Sequence, residues 1–289
     1  MVTAGGSRII GPIFDHYDEI CRTDLASGQI VSERGYVASW LALVRHHVRR
    51  LSTSQIAVVQ NLWPRDEQRL GCDVIIVLKV SGGYKVGLFE MKWPRATQSS
   101  YSWDNIKSHW QKSRFNRQLD GQHQIKDSAL VGEVILSEAP NNASNPKEFL
   151  PYGSTCVEHE PTCQFRRGKS WNRWTTKRLR AFLAGNVQTE RLGTMLDDLA
   201  ECGRGPPLTS VDGGYLSIPL EGEYPQFFGD ERTSSWQVPL VPEAEVRTVS
   251  SFMSEAGLRG YVYIDATDDE IQALRRPDER PDPAHRRDS

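Results

Sequence analysis

The sequence predicts an α/β (α+β) protein, with a mixed central sheet flanked by helices and a C-terminal α+β extension. Three observations predict it. CDVIIVLKV (72–80) and KVGLFEMKW (85–93) are short apolar, β-branched runs on either side of Ser81-Gly82-Gly83-Tyr84, which is the pattern of a β-hairpin. Between residues 31 and 140 the hydrophobic period gives a helix, three strands, a helix and a strand in succession. Beyond residue 140, short helical and strand-like runs alternate with turn-rich segments.

Each element has a local cause. Residues 1–30 read as an N-terminal arm, in which Ile9 to Tyr17 forms an extended arm or a short helix. From Ser32, an N-cap, Val37, Trp40, Leu41, Val44, Val48 and Leu51 repeat at helical spacing, with Arg45, Arg49 and Arg50 off the stripe. Glu33 then sits in the first turn, where the helix dipole favours a solvated acid. Gln55 to Leu62 is a strand ended by Trp63-Pro64. After the hairpin, residues 94–102 form a loop and 103–126 are mainly helical, with Gln111, Gln118 and Gln122 on one face. Ala129 to Ser137 is the next strand, and 138–170 an insertion or connector. Helices at 175–185 and 189–201, a Gly-Pro-Pro break at 205–207, a strand at 214–219, a helix at 243–256 and a strand at 260–264 follow. Asp265, Asp268, Asp269 and Glu270 read as a solvated helix start, and the Pro-rich, charged 275–289 as a disordered tail.

Composition narrows the class. With 289 residues, 38% hydrophobic and 25% charged, the chain can bury a sizeable core. No apolar run reaches the length of a membrane span, and the N-terminus lacks a secretory pattern. Five cysteines in a long chain argue against a disulfide framework and for a reducing cytoplasm. A net charge of −2 means that nucleic-acid affinity must come from local patches.

The hairpin also carries the chemistry. Side chains alternate along a strand, so Glu90 and Lys92 share a face that Met91 does not. In an antiparallel pair Asp73, at the head of the first strand, falls beside Glu90 and Lys92. Two carboxylates and an ammonium at one edge of an apolar sheet are costly unless compensated. Carboxylate ligands of this kind suit Mg²⁺ or Mn²⁺, with waters and a substrate phosphate completing the shell.

These residues resemble the signature of the PD-(D/E)xK nuclease superfamily. Asp73 precedes a hairpin that ends in Glu90-Met91-Lys92, Glu67-x-x-x-Gly71-Cys72-Asp73 lies upstream, and a helix bearing Gln118 and Gln122 follows. The proline of the family's name is absent, since Cys72 precedes Asp73. The resemblance covers roughly residues 30–140 and implies an αβββαβ restriction-endonuclease-like core over 31–140, with 141–274 completing the domain or binding nucleic acid. It implies that Asp73, Glu90 and the Met91 carbonyl hold Mg²⁺, with Mn²⁺ able to substitute. Lys92 then positions or activates water, with Glu67 and Gln118 as further catalytic candidates. Some family members carry a metal-associated acid on the helix that holds Glu33. The implied activity is hydrolysis of DNA, as an endonuclease rather than an exonuclease, in restriction or antiviral defence. The chain would act as a homodimer or with a defence-system partner, in the cytoplasm and off the membrane. A non-catalytic nucleic-acid-binding or scaffolding subunit and a ribonuclease stay open as alternatives.

Two further stretches are candidates. Arg114, Arg117, Arg166, Arg167, Lys169 and Arg173, interleaved with Trp171 and Trp174, could neutralise phosphates and stack on bases. Cys156, His159 and Cys163 could hold a structural zinc if a fourth ligand such as Cys202 joined, although no paired C-x-x-C spacing is present.

Overall fold

A computed structural model describes residues 10–50, 56–60, 71–94, 103–104, 113–136, 149–150, 153–167, 169, 173–185, 187–201, 203–220, 235–241 and 246–267. In chain order the elements are α1 (Ile10–Ala26), α2 (Glu33–Arg50), β1 (Ile56–Gln60), β2 (Val74–Val80), β3 (Gly83–Lys92), α3 (Arg114–Gln122), β4 (Leu130–Ile135) and β5 (Thr155–Glu158). There follow α4 (His159–Arg166), α5 (Thr176–Leu183), α6 (Leu192–Ala200), β6 (Val211–Asp212), β7 (Tyr215–Pro219), β8 (Ser235–Pro239), α7 (Val246–Ala256) and β9 (Gly260–Asp265).

The centre is a mixed six-stranded sheet in the order β1-β9-β2-β3-β4-β5. β2 and β3 form the predicted antiparallel hairpin, and Gly82 and Gly83 supply its turn at positive φ (99° and 143°), a conformation that suits glycine. The α3 crossover makes β3 and β4 parallel, whereas β4 and β5 are antiparallel. One sheet face packs α1, α2 and α6 around Phe89 and Met91. The opposite face packs α7 and the small β6-β7-β8 sheet over Ile75, Val77 and Leu88, and α3, α4 and α5 over Ile135 and Val157. The fold is thus a mixed α/β architecture with helices on both sides of the sheet. No helix among the described residues is long and apolar enough to cross a membrane.

Several boundaries depart from the sequence expectations, each for a physical reason. The supposed N-terminal arm is the 17-residue helix α1, which buries Ile10, Phe14, Cys21 and Leu25 in the core. It crosses α6 at Gly11 and Gly193, where the absence of side chains lets the backbones meet. Each helix start is capped from the other: Gly11 N donates to Asp197 Oδ1 (2.9 Å) and Gly193 N to Asp15 Oδ1 (2.7 Å).

The helix expected over 103–126 is described only as α3. Ser113 caps it by accepting from Asn116 N (2.9 Å), while the Asp104 carboxylate holds Phe115 N and Trp174 N. The supposed connector 138–170 contains β5 and α4. Within the C-terminal extension, β9 inserts between β1 and β2, parallel to β2 and antiparallel to β1. Asp265 lies in that strand and pairs with Lys79 (2.8 Å) instead of opening a helix. Asp268, Asp269, Glu270 and the 275–289 tail lie outside the described residues.

Candidate active site

The open end of the hairpin gathers charge where β2 begins and β3 runs on past it. Asp73 directly precedes β2, and the register Val74↔Phe89 sets it opposite Glu90. Its backbone is held from both sides: its N–H donates to Phe89 O (2.8 Å), and its carbonyl accepts from Arg259 N (2.7 Å) and Gly260 N (3.1 Å). Its carboxylate accepts from Met91 N (3.0 Å) and meets Arg259 Nη1 (3.1 Å). Glu90 Oε1 accepts from Lys92 Nζ and from Gln118 Nε2 (2.6 Å). The Phe115 ring lies under Lys92, its centroid 5.4 Å from Nζ. Asp73, Glu90, Lys92 and Gln118, four of the predicted catalytic residues, thus converge. Glu67 lies outside the described residues.

Burial governs the electrostatics. Asp73 and Glu90 are fully buried and Lys92 is 5% exposed. Burial, then the neighbouring Asp73 charge, pushes the Glu90 carboxyl up to about 8. Burial opposes the Lys92 ammonium, but Glu90, Glu33 and Asp73 outweigh it and lift its pKa above the ordinary value.

Sequence reasoning missed two of the neighbours, Arg259 and Glu133, and read a third, Glu33, chiefly as a solvated acid at a helix start. Glu33 is not merely solvated, because its Oε1 accepts from Trp93 N (2.9 Å), directly after Lys92. Arg259, the cation on Asp73, comes from the loop before β9. A cleft of about 310 Å³ runs past Glu33, Trp93, Trp103 and Arg259 at this edge. Glu133 is the β4 residue in register with Glu90, on the same sheet face, and is 1% exposed. Neither of its carboxylate oxygens accepts a hydrogen bond among the described residues.

Gly71 explains why a glycine stands two residues before Asp73. Its φ is +68°, and a Cβ there would lie 2.4 Å from Gln118 O and 2.7 Å from Gln118 Cα. Only a glycine lets α3 approach closely enough for Gln118 to reach Glu90. Gly71→Ala is expected to destabilise the fold by at least about 1–2 kcal/mol from the left-handed backbone alone, read from denaturant midpoints. An unchanged midpoint would show that α3 does not need this approach.

The donor set can be tested against a divalent cation. Asp73 and Glu90 offer hard carboxylate oxygens. The N–H and C=O of a strand residue face the same neighbour, and Met91 N–H points to Asp73, so its carbonyl is directed past the end of β2. Oxygen donors with an uncomfortable buried negative charge fit Mg²⁺ or Mn²⁺.

The basic candidates divide. Arg167, Lys169 and Arg173 are exposed, and Arg114 and Arg117 are half-buried on α3. Arg166 is engaged internally, on Asn116 O and Asp120 (both 2.8 Å). Trp174 is fully buried, with its ring N–H on Asn116 Oδ1 (3.0 Å), so it packs the core beside Phe115 and Phe182 and offers no stacking surface. Trp171 lies outside the described residues.

The expected zinc trio is also revised. Cys156 packs with the α1/α2/α6 face, whereas Cys163 packs with the α3/α4/α5 cluster. His123 takes its place beside His159 and Cys163. Cys202 lies outside the described residues. Comparisons with protein-family models, curated proteins and solved structures gave no match.

Proposed function

We propose that the chain is a metal-dependent phosphodiesterase that hydrolyses DNA at the Asp73–Glu90–Lys92 cluster. The observation that carries this reading is the convergence of two buried carboxylates and a buried ammonium where one strand ends beside the next. Asp73, Glu90 and the Met91 carbonyl would hold Mg²⁺ or Mn²⁺, which supplies charge to the phosphate oxygens and acidifies bound water. Lys92 would position or activate the attacking water, or stabilise the charge that develops on a non-bridging oxygen. Gln118 fixes the Glu90 rotamer. Water attacks phosphorus in line and gives up a proton to solvent, the P–O3′ bond breaks with its electron pair going to O3′, and O3′ takes up a proton from solvent. The products are a 5′-phosphate and a 3′-hydroxyl. Arg167, Lys169 and Arg173 are the exposed cations suited to gripping phosphates. An endonuclease acting in restriction or antiviral defence is the setting we infer from the resemblance.

Arg259 favours a second reading. It pairs with Asp73 while Lys92 pairs with Glu90, so each carboxylate already has a cation. A non-catalytic nucleic-acid-binding module would keep such a self-neutralised cluster.

Cleavage of supercoiled plasmid with Mg²⁺, Mn²⁺ or EDTA, comparing wild type with Lys92→Ala, separates the two. The expected result is metal-dependent nicking that falls at least about a hundredfold in the variant. Equal cleavage by both would move the site elsewhere. Retarded DNA without cleavage would favour the binding module, and cleavage confined to RNA the ribonuclease.

A further inference from the structure

We propose that His123, His159 and Cys163 bind one zinc ion, in a site separate from the Asp73–Glu90 cluster. His159 and Cys163 are four residues apart on α4 and so share a face. His123 is the C-cap of α3 and brings its ring to 5.7 Å from that of His159, centroid to centroid. One ligand atom from each residue lies within 4.8 Å of the others. Cys163 Sγ and His159 Nε2 are 3.2 Å apart. Ligands of a tetrahedral zinc are about 3.3–3.6 Å apart, given the usual zinc–nitrogen and zinc–sulfur lengths, so one pair is in place and His123 has about an ångström to close. Two imidazoles and a thiolate are the donors zinc prefers over magnesium or calcium.

The surroundings are those of a ligand site. Gln122 Nε2 donates to Gly71 O (2.7 Å), which turns its Oε1 toward His159 Nδ1 at 3.0 Å. Nδ1 must therefore carry the ring proton, and Nε2 turns a bare lone pair toward Cys163. A metal-bound histidine is oriented from its far nitrogen in this way. Glu133 stands on the same far side, its Oε1 3.9 Å from Nδ1, buried and without a hydrogen bond among the described residues. A buried carboxylate left in that condition is costly, and a dication one ring away compensates it. His123 and His159 also line a cleft of about 720 Å³, so a metal has a path in, and a water can fill the fourth coordination position.

Zinc takes cysteine as the thiolate, so metal uptake must displace the Cys163 proton and affinity rises with pH. A zinc here would tie α3 to α4, and α3 also presents Gln118 to Glu90.

Metal content and Co²⁺ substitution of the full chain test the proposal, using wild type, His123→Ala and Cys163→Ser. The expected result is one equivalent of zinc retained through dialysis by wild type. The Co²⁺ protein should show a thiolate-to-metal charge-transfer band, absent from Cys163→Ser. His123→Ala, altered at a half-exposed position, should still fold and bind zinc at least about tenfold more weakly. Zinc content equal in all three proteins, or a Co²⁺ spectrum without the thiolate band in wild type, would overturn the site. Neither readout depends on nuclease activity.

Discussion

Glu90→Gln is expected to unfold at a higher temperature than wild type without metal at pH 8, while cleaving DNA at least about a thousandfold more slowly. The two effects share one cause. Burial and Asp73 make the charged form of Glu90 unfavourable, with its pKa raised to about 8. Glutamine reproduces the neutral form and keeps an oxygen for Lys92 and Gln118, so the repulsion is relieved and the contacts survive. A gain of about 1 kcal/mol corresponds to roughly 2–4 °C in a chain of this size class. The same change removes an anionic ligand and should remove activity. A residue present only for packing would lose stability on substitution and leave the chemistry alone. Wild-type cleavage by Glu90→Gln would end the assignment.

The metal-free protein should lose stability as pH rises from about 4.5 to about 8. Unfolded, Glu90 gives up its proton near 4.5; folded, near 8. In that window the unfolded state binds fewer protons, so stability falls with rising pH, by up to about 1.4 kcal/mol per pH unit for this group. Asp197, raised to about 6 chiefly by burial, acts with the same sign at the lower end of the window. Mg²⁺ should reverse the trend, because binding expels the Glu90 proton. Calorimetric titration at pH 6.5 in buffers of different protonation enthalpy should show release of close to one proton per Mg²⁺. The Mg²⁺-induced rise in Tm should be larger at pH 8 than at pH 5. Binding without proton release would place the ion away from Glu90.

The hairpin and its charges were legible because their causes are local. A β-branched run, a Gly-Gly turn and strand alternation suffice to set Asp73 opposite Glu90, and helical spacing brings Gln118 to the same place. Arg259 was not legible, since its position depends on β9 pairing with β2, which no neighbouring residue signals. Glu133 was within reach: once β4 is taken as parallel to β3, alternation puts it on the Glu90 face. The α1 stripe of Ile10, Phe14, Cys21 and Leu25 was a helical signal read over too short a span, as an arm or a short helix that ended at Tyr17. Trp174 misled because cations surround it in sequence, whereas Asp104 and Asn116 turn it inward.

The placement of β9 bears on the order in which the molecule can be made. Lys79 and Asp265, neighbours across β2 and β9, are 186 residues apart, so the middle of the sheet waits for one of the last described segments to be synthesised. A ribosome works from the N-terminus, and long-range pairings of this kind close late and slowly. A nascent or prematurely terminated chain that stops before Arg259 has a gap beside β2 and no arginine on Asp73. If the chain cuts DNA as proposed, the Asp73–Glu90 cluster stands beside an incomplete sheet until β9 is in place.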